Sequence, residues 1–200
     1  MSGRWRGVVH LGGLALLTVL YTPLAVMLLP APGRWRHAFV GHWNRQQLRW
    51  LRMSCGIRVR VEGREHLPPG PVVVLANHQS PFETFAVPAL FGRPVTFVLK
   101  RELLRVPLFG WGLRLMDPIA IDRAAPRAAL HAMLRQGTEV LRAGISVVIF
   151  PEGTRVPPGQ TRPYRAGGAA LARHARVPVV PLAHDAGRCW PASGLVRRPG

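Results

Sequence analysis

His78 and Glu83 stand five residues apart, close enough for a general base and the carboxylate that orients it. A second group of reactive types lies downstream, in Phe150-Pro151-Glu152-Gly153-Thr154-Arg155. There a strand ending in Pro-Glu-Gly-Thr-Arg presents backbone amides, a hydroxyl and a guanidinium where a phosphate can sit. The two groups together point to activation of a hydroxyl on a phosphate-bearing substrate. Arg155 can grip phosphate through two parallel hydrogen bonds, and Gly153 permits close approach of the backbone to a ligand. Glu152 cannot bind phosphate directly, so it suits accepting from a substrate hydroxyl or holding an arginine. Ser80 is a poor nucleophile here: it lies two residues from His78, and the chain contains no Gly-x-Ser-x-Gly elbow. The substrate's own hydroxyl is the better attacking group. The other seven histidines have no comparable context and read as surface or packing residues. Nothing in the spacing of His, Cys, Asp and Glu predicts a metal site, and proton transfer with positioning needs no cofactor.

These residues also carry a resemblance. Asn77-His78-Gln79-Ser80-Pro81-Phe82-Glu83 resembles the first motif block of the glycerolipid acyltransferases, the lysophosphatidic acid acyltransferases and their relatives. Lys100-Arg101-Glu102-Leu103, then Pro107, Gly110, Trp111 and Ile121-Asp122-Arg123, resembles the second. Phe150 to Arg155 matches the third block and Val177-Pro178-Val179-Val180-Pro181 the fourth, all in family order. The resemblance implies an acyl thioester donor, acyl-CoA or acyl-carrier protein, and 1-acylglycerol-3-phosphate (lysophosphatidic acid) as acceptor, giving phosphatidic acid. Another lysophospholipid or an acylated amino lipid is the alternative acceptor. By the same resemblance His78 and Glu83 are catalytic, and Lys100, Arg123, Glu152, Gly153, Thr154 and Arg155 bind substrate. Two departures stand out: the family more often has aspartate at position 83, and glycine where this chain has Asp117-Pro118.

The strands that must position these groups are short apolar runs: Ile57–Val61, Val72–Ala76, Val95–Leu99, Ile119–Ile121, Ile145–Phe150 and Val179–Leu182. Helical stretches lie between several of them. The clearest is Arg127–Arg142, where Leu130, Met133, Leu134, Val140 and Leu141 make one face and Gly144 a stop. The alternation predicts an α/β fold, a largely buried mixed sheet covered by helices. His78, Lys100, Arg123 and Arg155 all follow strand ends, where α/β folds place ligand chemistry. Lys100 and Arg101, from one strand end, and Arg123, from another, are candidates to converge on one anion.

Val8 to Leu29 is a 22-residue run without a charged side chain. As a helix it reaches about 33 Å, enough for a hydrocarbon core of about 30 Å. His10, Pro23 and Gly12-Gly13 make it a less than ideal span, and a signal peptide is the rival reading. Arg34 to Ser54 reads as an amphipathic helix with Trp35, Phe39, Trp43, Trp50 and Met53 in one sector. That stripe suits either the headgroup region of a bilayer or packing on the following domain. Pro107-Leu108-Phe109-Gly110-Trp111 is open to the same two readings. The organisation expected is an N-terminal helical membrane anchor with the amphipathic helix over residues 1–55, then an acyltransferase domain over 56–200. The resemblance implies a further strand beyond Gly200.

The formal charge is +18, with 27 basic residues against nine acidic ones. All basic residues but Lys100 are arginine, and four acids (Glu83, Glu102, Asp122, Glu152) fall inside the motif blocks. A hydrophobic fraction of 48% excludes a disordered basic tail. The charge favours anionic partners: membrane lipids, a phosphate substrate, coenzyme A or an acidic carrier. A non-catalytic membrane- or nucleic-acid-binding protein would have no use for His78 with Glu83. The aromatic-arginine helix beside an apolar run favours membrane over nucleic acid. Arginines crowding the C-terminal side of the apolar run predict an inner-membrane protein with its catalytic domain in the cytoplasm. Cys55 and Cys189 give no disulfide framework.

Overall fold

The computed structural model describes residues 3–122 and 124–200. Two long helices come first, α1 (Gly3–Met27) and α2 (Gly33–Cys55). The chain then alternates: β1 (Val73–Ala76), α3 (Glu83–Leu90), β2 (Val95–Lys100), α4 (Phe109–Arg114), β3 (Ile119–Ile121), α5 (Pro126–Arg142), β4 (Ser146–Ile149), α6 (Gly167–Ala175) and β5 (Val179–Leu182). The sheet order is β3-β2-β4-β1-β5. Every pairing is parallel, so the sheet is not the mixed one expected. All five strands therefore end at the same edge.

Both faces of the sheet are covered, which is why its strands read as unbroken apolar runs. Successive side chains alternate between two cores. Val72, Val74, Ala76 and Val148 pack with Val87, Phe91, Leu115 and Val40 on the side of α2 and α3. Val73, Val147 and Ile149 pack with Met133, Leu141 and Leu171 on the side of α5 and α6. Val73, Val74, Val147 and Val148 are fully buried, each worth about 1.5–3 kcal/mol of transfer free energy. Gly137 lets α5 close onto α6: a Cβ there would lie 2.8 Å from the Leu171 methyls. In α5 the inward residues are Ala129, Met133, Gly137, Thr138 and Leu141, while Leu130, expected on that face, is 40% exposed. Gly144 follows at φ +83°, the expected stop.

Ile57–Val61 forms no strand. Only Ile57 is buried, while Val59 and Val61 face solvent. The segment bonds instead to the chain's end, the Arg58 amide donating to the Gly200 carbonyl at 2.6 Å.

Two of the features that make Val8–Leu29 a poor span, His10 and Gly13, have packing explanations. α1 lies against α2, where the Trp50 ring occupies the space a Cβ on Gly13 would need. The Trp50 indole donates to the His10 carbonyl at 3.1 Å, and the buried His10 ring meets Trp190 edge-on at 4.8 Å. Ala25, near the other end of α1, joins the core with Val40. The outward face of α1 stays apolar and exposed, through Val8, Leu11, Leu16, Val19, Leu20, Leu24 and Met27.

The aromatic stripe of α2 is largely spent on packing. Phe39 meets Tyr21, Trp43 meets Phe85 and Trp50 meets α1; only Trp35 and Met53 are exposed. Asp117 explains its own departure from glycine. Its φ of +50° is left-handed, a region aspartate tolerates better than most residues. Its carboxylate pairs with Arg36 at 2.8 Å and faces His37 at 3.3 Å, tying β3's approach to α2.

Candidate active site

The parallel order explains how distant motifs meet. β4 and β1 are central neighbours, so Phe150–Arg155 and Asn77–His78 leave the sheet side by side. β5 flanks β1 on the other side and delivers His184 just past its end. The two motif turns are then stitched together. The His78 amide donates to the Glu152 carboxylate at 2.9 Å, and the Val156 amide donates to the His78 carbonyl at 2.7 Å. Glu152 is buried, and this bond makes it a backbone anchor for His78.

Between β1 and α3 the chain turns sharply, and the turn is organised around one carboxylate. Glu83, the first residue of α3, is 1% exposed. Its Oε1 accepts from the Gln79 amide at 2.8 Å and the Ser80 amide at 2.7 Å. Its Oε2 lies 3.4 Å from His78 Nδ1. Both of those atoms are buried and have no other hydrogen-bond partner among the described residues. The contact is longer than a well-formed hydrogen bond, a common condition for catalytic pairs without substrate. His78 Nε2 has no hydrogen-bond partner among the described residues and is the nitrogen left for substrate. Phe150 stacks on the imidazole, centroids 4.0 Å apart. Ser80 is fully buried, its Oγ accepting from the Phe82 amide at 3.0 Å, which removes it as a nucleophile.

In the third motif, Gly153 sits at φ +71°, a turn that a residue with a Cβ would strain. Arg165 packs across it, within 3.2 Å of where that Cβ would be. Thr154 and Arg155 are exposed beside the His78 backbone, and the Arg155 guanidinium makes no ion pair among the described residues. Lys100 ends β2, one strand beyond β4, half-exposed with its ammonium 3.5 Å from Glu102. It shares the edge with His78 without touching it. Arg123, expected to join the anion site, lies outside the described residues.

His184, in sequence one of the surface or packing histidines, contacts Glu83 in the fold. Its Nε2 is 3.2 Å from Glu83 Oε1 and 2.7 Å from the Asn77 carbonyl. Asn77 clasps it through the backbone, donating Nδ2–H to the His184 carbonyl at 2.8 Å and accepting from the His184 amide at 3.0 Å. Gln79 makes a parallel link, its Oε1 accepting from the Gly187 amide at 3.3 Å. The strand-end rule that singles out His78 would also have found His184, two residues past β5.

Comparisons with known proteins identify the family and the fold. The acyltransferase family model matches residues 58–185, a span that holds every site residue expected from sequence. The chain is 48% identical over 173 residues to a 1-acyl-sn-glycerol-3-phosphate acyltransferase of Pseudomonas aeruginosa, covering 86% of this chain and 66% of that one. It is 35% identical over 139 residues to the human 1-acyl-sn-glycerol-3-phosphate acyltransferase alpha, covering 69% and 49%. The chain thus spans between about half and two thirds of these relatives' lengths. A crystal structure of a 1-acyl-sn-glycerophosphate (LPA) acyltransferase from Thermotoga maritima superposes with a TM-score of 0.76 at 23% identity. It covers 98% of this chain and 80% of that one, a likeness of fold.

Proposed function

The chain belongs to the acyltransferase family, and from that premise we propose that it acylates the free hydroxyl of 1-acylglycerol-3-phosphate, giving phosphatidic acid. The observation that carries the reading is the His78–Glu83 pair, beside a turn bearing Arg155, with neither His78 Nε2 nor the Arg155 guanidinium paired among the described residues. His78 Nε2 takes the acceptor's hydroxyl proton as its oxygen attacks the thioester carbonyl. The buried Glu83 carboxylate stabilises the imidazolium that forms. Collapse of the tetrahedral intermediate breaks the carbon–sulfur bond, and the imidazolium returns its proton to the leaving thiolate. No metal or redox cofactor enters this sequence.

The amides of His78, Gln79, Ser80 and Gly153 already donate within the protein. Those of Thr154 and Arg155 are the candidates for the oxyanion or phosphate. Arg155 holds the acceptor's phosphate, with Lys100 contributing from the end of neighbouring β2 and Arg123 added by the family resemblance. The outward face of α1, with Leu103, Val106, Leu108, Phe109 and Trp111 beside α4, is apolar and exposed and meets lipid in this reading. Arg34, Arg36, Arg45, Arg49 and Arg52 favour the cytoplasmic side, where acyl-CoA and acyl-carrier protein are available.

The test is acyl transfer by the purified full chain, with acyl-CoA and acyl-carrier protein each supplied as donor. Lysophosphatidic acid should be acylated in preference to lysolipids with larger headgroups. Activity on those lysolipids alone would reassign the acceptor.

A further inference from the structure

We propose that His184 is a positioning residue for this reaction, holding the Glu83 carboxylate in the orientation that leaves His78 Nε2 free as the base. The inference rests on the acyl-transfer reading above. Its geometric ground is the surroundings of both His184 nitrogens. Nε2 faces two acceptors, the Asn77 carbonyl at 2.7 Å and Glu83 Oε1 at 3.2 Å, so it carries the proton. Nδ1 faces a donor, the Ala186 amide at 3.3 Å, so it is bare. These neighbours select the neutral imidazole with its proton on Nε2.

The consequence falls on Glu83. Its Oε1 accepts from the Gln79 and Ser80 amides and lies 3.2 Å from His184 Nε2, whose hydrogen bond goes to the Asn77 carbonyl, while Oε2 faces His78 with no other partner among the described residues. Rotating the carboxylate would strip both amide donors, and the His184 N–H close beside them, from a side chain that is 1% exposed. Oε2 is thereby kept as an acceptor for His78 Nδ1–H. That holds the proton on Nδ1 and leaves Nε2 bare. A neutral donor suits this place. A lysine or arginine on Oε1 would neutralise the charge that the His78 imidazolium requires, whereas neutral His184 orients the carboxylate and leaves its charge in place. The Asn77 clasp acts on the His184 backbone and survives replacement of the ring.

The test uses three full-length variants assayed with lysophosphatidic acid and acyl-CoA. His184→Phe keeps the ring's shape and removes the donor. His184→Asn places an amide too short to reach Glu83. His184→Gln returns a donor near the position of Nε2. Loss of positioning predicts a fall in kcat of about tenfold or more for Phe and Asn, with KM for both substrates changed less than about twofold. Gln is expected within about threefold of the wild type, because the amide restores the bond. In a Glu83→Ala background, His184→Phe should cost less than about twofold, since no carboxylate is left to position. A structural role through Asn77 alone would cost the same in both backgrounds. Equal losses in the two backgrounds, or wild-type kcat in folded His184→Phe, overturn the inference. Should His184→Phe fail to fold, His184→Asn carries both comparisons. A wild-type chain inactive on every acceptor overturns the proposed function and the inference with it; an active wild type with additive losses overturns the inference alone.

Discussion

His78 and Phe150 lie face to face, ring centroids 4.0 Å apart and planes 15° from parallel. The first residue of one motif thus forms the floor under the proposed base of another. Phe97 extends the stack from below Phe150, at 6.1 Å. The face of Phe150 presents its negative quadrupole to a ring that, in the proposed mechanism, becomes cationic during proton transfer. Replacing it with leucine keeps the apolar floor and loses that electrostatic part. The expected cost is about 0.5–1.5 kcal/mol, up to roughly tenfold, and it should fall on kcat rather than KM. An unchanged kcat in Phe150→Leu would reduce the stack to packing.

Glu83→Gln separates charge from orientation more severely than its size suggests. The Gln79 and Ser80 amides pin an oxygen at the Oε1 position, so the new NH₂ must point at His78 Nδ1. Facing a donor, Nδ1 gives up its proton to Nε2, and the base is lost to the wrong tautomer. Turnover should fall about 10²–10⁴-fold, close to the loss in His78→Ala. Glu83→Asp cannot span from the two amides to His78 and should lie between that loss and the wild type. Circular dichroism and melting curves establish that each variant folds. A Glu83→Gln enzyme with near-native turnover would refute the tautomer argument.

The site is legible in sequence where reactive residues follow recognisable strand ends, and less so where tertiary contacts decide. His78, Glu83 and the Phe150–Arg155 turn come together because their strands are central neighbours, which α/β alternation implies without giving the order. His184 also follows a strand end, but its meeting with Glu83 is decided by β5 lying beside β1, which the sequence pattern does not give. By type Glu152 reads as a substrate ligand; its burial against the His78 amide appears only in three dimensions. The failed strand at Ile57–Val61 has apolar alternation but pairs with none of the five strands, its Arg58 amide bonding to Gly200 instead. The stripe of α2 follows the right period; Phe39, Trp43 and Trp50 meet protein, while Trp35 and Met53 stay exposed.

Arg155 is the exposed cation adjoining the His78 backbone. Its removal should weaken kcat/KM for the phosphorylated acceptor by about 2 kcal/mol, roughly 30-fold, as for a lost charge-assisted pair. The KM for the acyl donor should move much less. Initial-rate measurements varying each substrate in turn separate the two. Equal weakening toward both substrates would assign Arg155 to the donor's phosphates.

Asp117 gives a stability test with a sign. Asp117→Ala loses the Arg36 pair and retains the left-handed backbone, which costs alanine about 1–2 kcal/mol. Asp117→Gly loses the same pair and relieves the backbone. The melting temperature of the glycine variant should therefore lie close to that of the wild type, with Asp117→Ala lowest of the three. A glycine variant melting below the alanine variant would mean that the backbone at position 117 carries no strain.

The outward face of α1 offers a membrane test that spares the fold. Leu16, Leu20 and Leu24 lie four residues apart on one side of the helix and are 58%, 58% and 51% exposed. Changing all three to glutamate leaves the Gly13–Trp50 and Ala25–Val40 contacts intact, because these face the protein. Melting temperature should stay within a few degrees of the wild type. Binding to anionic vesicles should fall sharply, since each buried leucine contributes on the order of 1.5–3 kcal/mol and each glutamate adds repulsion. Gly13→Leu is the opposite case: it collides with the Trp50 ring and should destabilise the fold while leaving the outward face unchanged. Vesicle flotation at low and high salt reads the binding. Full retention of the triple-glutamate chain on vesicles in both conditions would remove α1 as the lipid-facing element.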